Sequence, residues 1–479
     1  MSTARPTRLR SAQAAFLYFE KPDARMHTGG VALVAGDVDQ QAFRHTVAEK
    51  LARLDHFRSV VSPEPFHVSH PSWRPDRHFD LDAHFQVHEG ATLADLDDLL
   101  AEASRLYSPP LDRSRPLWEA HLIRGLPGGD SAMVLKVHRA LRPQIGASHL
   151  IETLCSGSSQ EVAPVADGPP ASEPLFDAFS QRFASATRFL LRSIEAGTAL
   201  TSERTLTATQ TLLATMPDLA LPLRRLPFNG PTSGHLSVVA AALSFAEVRE
   251  IRRAVGGSVR DVLLTLVAGA TARYAADQGE SVRRRTMRVA VPLRVRTGRD
   301  RPGSPAVTSV LPVSVPLDLE DPLRRLRAVR GATRLMAAAR VPEWVEQTAY
   351  LGGILPPPVQ ASIGALATGG FPLFNLTLNY SAGPQIPMSL GDHRVELYVP
   401  FAPVGYGQGL GCAVYNYNQL LHVGLTADPR ACPDPDHFRD LLLEEIDRLK
   451  RAAGIGDIPP IATRAALSGV LGEGAPTLG

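Results

Sequence analysis

The strongest constraint on the fold is an alternation of strand-like and helix-like segments that is interrupted once, near the middle of the chain. In the first half, residues 29–36 read as a strand between glycines, and residues 91–107 place apolar side chains along one helical face. Residues 156–174 have no apolar period and are rich in Ser, Pro, Ala and Gly, which is typical of a linker. Helical patterns then occupy about 175–225, and mixed α/β character returns after 231. The pattern predicts an α/β protein with two halves.

The second half contains several locally specified elements. Residues 244–276 read as two helices joined by a glycine turn. A further helix should begin with Asp321 as its cap and Pro322 in its first turn. Residues 410–428 resemble two strands joined by a turn, and residues 434–453 form an amphipathic helical pattern. Although both halves have mixed α/β character, the sequence contains no recognisable internal repeat.

Composition narrows the class of protein. The chain has 479 residues, of which 44% are hydrophobic and 20% are charged, the profile of a soluble globular protein with two domains. A net charge of +2 does not indicate a nucleic-acid partner. The three cysteines, Cys155, Cys412 and Cys432, match neither a zinc site nor a disulfide framework. With no apolar run of about 20 residues, we expect a cytoplasmic protein without a bound metal.

The chemistry-bearing segment is residues 134–150, where an apolar strand ends in His138. An imidazole there can act as a general base, because its pKa lies near neutrality, or it can be a structural histidine bonded to the backbone. Arg139 cannot accept a proton, but it can bind an anion. Pro143 supplies neither a backbone donor nor a carboxylate.

Two basic clusters offer a second candidate for binding. Arginines are concentrated at 283–301 and at 324–334. Such clusters are either solvated faces or sites for a phosphate-bearing ligand, such as coenzyme A or the phosphopantetheine of a carrier protein. The sequence alone leaves both interpretations open.

Ordered motifs resemble a known family. Residues 109–126 (PPLDRSRPLWEAHLIRGL) followed by 135–148 (LKVHRALRPQIGAS) are similar to the bacterial wax ester synthase/diacylglycerol acyltransferase family. Residues 11–30, 79–90 and 415–434 resemble other blocks of that family in the same order. The family belongs to the coenzyme A-dependent acyltransferase superfamily, which also contains the condensation domains of nonribosomal peptide synthesis.

The resemblance implies an architecture. It predicts an α/β fold of two similar chloramphenicol acetyltransferase-like lobes, with a central tunnel between them. We place the N-terminal lobe at 1–157, a linker and helical crossover at 158–230, the C-terminal lobe at 231–463 and a flexible tail at 464–479.

The resemblance also identifies the segment around His138 as an altered form of the family's active-site motif. The family carries H-H-x-x-x-D-G, whose second histidine deprotonates the acceptor hydroxyl and whose aspartate supports the loop. In this chain His138 matches the first histidine, while Arg139, Pro143 and Gln144 replace the second histidine, the aspartate and the glycine. The base cannot be carried over to Arg139. Asn379 lies in a block, NYSAGP, that departs from the family's Asn-Val-Pro-Gly-Pro.

These observations give one set of candidate site residues. We predict His138 as the candidate base, with further residues that bind substrate or support the site: Arg139, Gln144 and Asn379 for substrate, and Pro143, Arg115 and Trp118 as structural neighbours.

Three functions remain open. The first is acyl transfer from an acyl thioester with non-standard chemistry. The second is a repurposed tunnel enzyme of specialised metabolism, performing cyclisation or condensation, and the third is a non-catalytic homologue that binds lipid or a partner. We expect no bound cofactor, acyl-CoA or a carrier-protein thioester as substrate, a small-molecule or lipid ligand, an acyl carrier protein as a candidate partner, and peripheral membrane contact as a further candidate.

Overall fold

A computed structural model describes residues 7–9, 11–51, 54–63, 70–141, 147–155, 223–295, 307–338 and 374–456. The helices in these ranges are α1 (Ser11–Phe19), α2 (Gln40–Lys50), α3 (Leu96–Tyr107), α4 (Ala147–Leu154), α5 (Phe245–Val255), α6 (Val259–Asp277), α7 (Pro322–Ala338) and α8 (Pro435–Ala452). The strands of the first half are β1 (Thr7–Arg8), β2 (His27–Val34), β3 (Ser59–Ser62), β4 (Ser72–Pro75), β5 (Phe85–Glu89), β6 (Trp118–Arg124) and β7 (Ser131–His138). Those of the second half are β8 (Ser237–Ser244), β9 (Thr286–Val295), β10 (Val307–Pro316), β11 (Leu376–Ala382), β12 (Ser389–Leu390), β13 (His393–Phe401), β14 (Leu410–Tyr417) and β15 (Leu420–Ala427).

The strands form two six-stranded mixed sheets and one small sheet. The first large sheet has the order β12-β13-β2-β7-β6-β5, and the second has the order β10-β9-β11-β14-β15-β8. The small sheet, β1-β4-β3, belongs to the first half. The predicted α/β class with two lobes is confirmed.

One strand crosses between the halves of the sequence. β13 lies antiparallel to β2, with a register that runs from Val395 opposite Val34 to Phe401 opposite Gly29. The first sheet therefore combines strands from both predicted lobes, while the domain boundaries drawn from the sequence stay predictions. Gly424 of β15 allows this crossing strand to approach, because a Cβ there would lie 1.9 Å from the carbonyl oxygen of Pro400.

Local capping explains where the second-half helices begin. Ser258 and Asp261 form a reciprocal capping box at the start of α6. At α7, the Asp321 carboxylate accepts a hydrogen bond from the Leu323 backbone N–H at 2.9 Å, and Pro322 occupies the first helical position. The helix start predicted at Asp321 and Pro322 is confirmed.

The helix α6 is buried along most of its length at the centre of the second lobe. Among the described residues, no single helix is long and apolar enough to cross a membrane. The pair α5 and α6 meets that test only when taken together, and the two helices are bent by 100°.

Candidate functional site

His138 is the last residue of β7, and its side chain is 1% exposed. Its backbone N–H donates to the Leu117 carbonyl at 2.9 Å. Its Nδ1 accepts a hydrogen bond from the Ala140 backbone N–H at 3.0 Å, and its Nε2 lies 3.6 Å from Oε2 of Glu20. An accepting Nδ1 places the proton of the neutral imidazole on Nε2, facing the carboxylate. Both nitrogens thus face protein groups, and the role of His138 as a base stays a prediction.

Glu20 organises the end of β7. Its carboxylate accepts hydrogen bonds from Nη2 of Arg113 at 2.8 Å and from the Met26 backbone N–H at 3.3 Å, and lies 3.7 Å from Nε2 of His27. Burial opposes ionisation, but His138 and Arg113 outweigh it and hold the pKa of the Glu20 carboxyl well below its usual range. The result is an ionised carboxylate between two histidines and an arginine.

Sequence reasoning missed Glu20 and Arg113. The available signal was an acidic side chain, Glu20, directly after the apolar run of α1. Arg113 lies in the PPLDRSRPLW block, two residues before Arg115, the arginine that the motif predicted as a structural neighbour of the site. These residues meet His138 only through the fold, so their partnership could not be read from local spacing.

Arg139 is the first residue after β7 and follows His138 directly. Its backbone N–H donates to the Met26 carbonyl at 2.8 Å, and its guanidinium carbon lies 4.7 Å from the ring centre of Phe16. Burial lowers the pKa of the guanidinium, which still stays protonated near neutrality. Within the described ranges it forms no ion pair with a carboxylate. Arg139 is therefore a partly buried cation that can bind an anion or a carbonyl oxygen.

A row of ionisable groups continues along the same face of the first sheet. Lys136 is fully buried and lies 3.2 Å from Oε2 of Glu119, its neighbour on β6. Glu119 lies 3.5 Å from Nε2 of His121, whose Nδ1 is 3.2 Å from Nε2 of His88 on β5. Burial lowers the pKa of the Lys136 ammonium. Because strand side chains alternate, this row shares the face that carries His138.

Two of the three residues predicted as structural neighbours, Trp118 and Arg115, lie in the described ranges and occupy different settings. Trp118 is fully buried on the opposite face of the sheet, where its Nε1–H donates to the Phe57 carbonyl at 2.8 Å and its ring stacks on His84 at 4.8 Å. Arg115 is exposed and lies 3.6 Å from Asp112. Their assignment as supports of the site stays a prediction.

Asn379 belongs to the second lobe, in β11, and is partly buried. The register of β11 with β14 places it on the face of the second sheet that carries Tyr415. The Tyr415 hydroxyl donates to Oε1 of Glu152 at 2.8 Å, which ties this face to α4, the helix after the motif. Pro143 and Gln144 lie outside the described residues, and their predicted roles are untested.

The arrangement of lobes is shared with solved structures. The wax ester synthase/diacylglycerol acyltransferase from Marinobacter aquaeolei VT8 has a TM-score of 0.64 and 22% identity, and the match covers 94% of this chain and 100% of that one. The first condensation domain of the calcium-dependent antibiotic synthetase has a TM-score of 0.56 and 15% identity, covering 96% and 98%. The chain thus has the two-lobed fold of these acyl-transferring and condensing proteins.

Sequence comparisons narrow this class to one family. Residues 9–263 match the wax ester synthase/diacylglycerol acyltransferase catalytic domain, and residues 307–450 match the WS/DGAT C-terminal domain. The chain belongs to the wax ester synthase/diacylglycerol acyltransferase family, as its motifs predicted. A Mycobacterium tuberculosis H37Rv relative is 28% identical over 444 residues, 88% of this chain and 92% of the relative. A Mycobacterium bovis relative is 27% identical over 478 residues, 94% and 91%. Both carry the name putative diacylglycerol O-acyltransferase.

Proposed function

We propose that the protein transfers an acyl group from an acyl thioester, with acyl-CoA as the donor, and that Arg139 binds the thioester carbonyl oxygen. Family membership supports acyl transfer and makes acyl-CoA a plausible donor, and the relatives' names support O-acyl transfer. The observation that carries the finer proposal is the Arg139 guanidinium, a partly buried cation with no carboxylate partner in the described part of the chain, next to His138.

The proposed reaction follows from the presence of arginine at position 139, where the family has a histidine. The acceptor attacks the carbonyl carbon, and the negative charge that develops on the carbonyl oxygen is stabilised by the guanidinium. The carbon–sulfur bond then breaks, and the acyl group remains on the acceptor. The proton that the acceptor loses passes to solvent, and the departing thiolate takes up a proton. No net oxidation or reduction occurs.

The acceptor class follows from the residues described at the motif, where neither Arg139 nor His138 is placed as a conventional base. Arginine does not take a proton at neutral pH, and the Nδ1 of His138 already accepts from the Ala140 N–H. Losing a positioned base typically costs about 10²–10⁴-fold in rate. A thiol or an amine needs less activation than an alcohol, so we propose that acceptors of these kinds are used faster than long-chain alcohols or diacylglycerol.

A second candidate is a non-catalytic homologue that binds an acyl thioester. The surroundings of His138 favour it, because Nδ1 already accepts from the Ala140 N–H and Nε2 faces the Glu20 carboxylate at 3.6 Å rather than an open substrate position. In this case Arg139 still holds the anionic or carbonyl part of the ligand, but no transfer follows.

Turnover assays distinguish the candidates. The purified chain is incubated with palmitoyl-CoA, or with a palmitoyl-pantetheine mimic of a carrier, and with a thiol, an amine, hexadecanol or diacylglycerol. We expect products with the thiol or amine, and a loss of about 10²–10³-fold in Arg139→Gln. Arg44→Gln, a change at a partly exposed arginine of α2, is the matched control.

The outcomes are distinct. No product above the enzyme-free blank with any acceptor, together with acyl-CoA binding that weakens in Arg139→Gln, supports the non-catalytic candidate. Equal turnover by the parent and Arg139→Gln contradicts the proposed role of Arg139. Turnover of hexadecanol that appears only in Arg139→His shows that the natural residue selects against alcohols.

A further inference from the structure

The backbone that carries Arg139 is a closed turn. Nδ1 of His138 accepts a hydrogen bond from the Ala140 N–H at 3.0 Å, and the His138 carbonyl accepts one from the Leu141 N–H at 3.0 Å. The Arg139 N–H donates to the Met26 carbonyl at 2.8 Å. Three hydrogen bonds therefore fix the backbone on both sides of Arg139, and one of them is supplied by an imidazole.

Helix α1 contacts the same turn along one of its sides. Nε2 of Gln13 donates to the Ala140 carbonyl at 3.2 Å, and the Phe16 ring centre lies 4.7 Å from the guanidinium carbon of Arg139. These two helical positions are three residues apart, so their side chains are neighbours on the helix surface. Glu20 follows the last residue of α1 directly and lies about two helical turns beyond Gln13, on the same side.

Glu20 has a position that does not depend on the turn. Its Oε2 accepts a hydrogen bond from Nη2 of Arg113 at 2.8 Å, and the same Nη2 donates to the Leu17 carbonyl in the last turn of α1 at 3.1 Å. Its Oε1 accepts from the Met26 N–H at 3.3 Å. From this fixed position Oε2 lies 3.6 Å from Nε2 of His138. A carboxylate there favours the tautomer with its proton on Nε2, which leaves Nδ1 as an acceptor.

We propose that Glu20 and His138 are positioning residues, which hold the turn and thereby keep the Arg139 guanidinium at the thioester carbonyl. The imidazole supplies an acceptor to the backbone, and the carboxylate selects the tautomer that has this acceptor. His138 exchanges no proton with the substrate. This inference rests on the role of Arg139 proposed above. Misplacement of a reacting group by about 1 Å can cost about 10²-fold in rate, so loss of the His138 acceptor should lower kcat by about 10–100-fold.

Two substitutions of His138 separate positioning from proton transfer. In His138→Asn the amide Oδ1 can replace Nδ1 as the acceptor for the Ala140 N–H, but an amide takes up no proton near neutral pH. With palmitoyl-CoA and a thiol acceptor, we expect His138→Asn to keep kcat within about threefold of the parent, and His138→Leu to lose about 10–100-fold. Equal losses in the two variants would assign His138 as a base and overturn the proposal.

A double-mutant cycle tests whether Glu20 acts through Arg139. Glu20→Gln should lower kcat about 10-fold in the parent, but by less than about threefold in an Arg139→Gln background, because the group that it positions is then absent. The control is Glu102→Gln, which removes a partly buried carboxylate that pairs with Arg105 on α3 and should change kcat less than about twofold. Equal loss from Glu20→Gln in both backgrounds contradicts the proposal.

Hydrogen–deuterium exchange at the Ala140 amide separates failure of this inference from failure of the proposed reaction, because it requires no turnover. In the full chain, His138→Leu should exchange this amide at least about 10-fold faster than the parent, and His138→Asn should exchange it at the parent rate. Unchanged exchange in His138→Leu overturns the positioning role, whatever the turnover result. Urea denaturation of each variant verifies that the chain is folded.

A parent that gives no product with any acceptor would refute the proposed reaction, and palmitoyl-CoA binding then reports the position of Arg139. Binding that weakens alike in His138→Leu and Arg139→Gln, and is retained in His138→Asn, supports the positioning role. Binding that weakens in Arg139→Gln but not in His138→Leu contradicts it.

Discussion

At the scale of the residue, His422 couples folding to pH. It is buried in β15 beside the ring of Tyr417, and burial lowers the pKa of its imidazole to about 4. An unfolded histidine titrates near 6.5, so between these values the unfolded chain binds a proton that the folded chain does not. Stability must therefore fall as pH falls below about 6.5. We expect this residue to cost about 2 kcal/mol between pH 7 and pH 5.

The measurement is urea denaturation of the parent and of His422→Leu at pH 7 and pH 5. The variant should lose less stability than the parent over that interval, by about 2 kcal/mol. His235→Leu, a substitution at an exposed histidine, should follow the parent. Identical pH dependence in the parent and His422→Leu would show that His422 titrates alike in both states.

At the scale of the element, serine side chains at the end of α3, in the first lobe, accept hydrogen bonds from the edge strand β8 of the second lobe. β8 is the last strand of the second sheet, so the outward N–H groups along it need partners. The Ser104 hydroxyl accepts from the Val238 N–H at 3.0 Å, and the Ser108 hydroxyl accepts from the Leu236 N–H at 3.0 Å. Ser104→Ala should cost about 1–3 kcal/mol, because a buried donor loses its acceptor. Urea denaturation measures this cost.

A threonine of α2 provides the control for that prediction. The hydroxyls of Ser104 and Thr46 each donate to the carbonyl one turn earlier, that of Leu100 at 2.6 Å and that of Ala42 at 3.0 Å, but the Thr46 hydrogen bond is exposed. Thr46→Ala should change stability by less than about 0.5 kcal/mol. If Ser104→Ala costs no more than Thr46→Ala, the serine does not cap the strand edge. The double variant Ser104→Ala/Ser108→Ala should cost more than either single change.

At the scale of the whole molecule, the sequence predicts elements that neighbouring residues specify, but not contacts between distant parts of the chain. Elements specified by neighbouring residues were predictable, such as α5 and α6 around their glycine turn and the β14–β15 hairpin. The position of β13 in the first sheet was not, because the residues of a strand do not reveal which distant strand it pairs with. The site shows the same division. His138 was found from its local motif, whereas its contact with Glu20, 118 positions earlier, depends on the tertiary fold. The pairing of the buried Lys136 with Glu119 depends on strand register.

The crossing of β13 predicts that both lobes unfold together. Trp73 and Trp118 are buried in the first lobe. The third tryptophan, Trp344, lies outside the described residues, and the substitution Trp344→Phe leaves tryptophan fluorescence as a reporter of the first lobe. In this background, Leu421→Ala in the core of the second lobe should cost about 2–5 kcal/mol. Because β13 links the sheets, fluorescence and far-ultraviolet circular dichroism should shift to lower urea by the same amount, as they should in the first-lobe variant Leu122→Ala. A fluorescence midpoint that stays at the parent value in Leu421→Ala would show two independent folding units. β13 would then contact both sheets without making their unfolding cooperative.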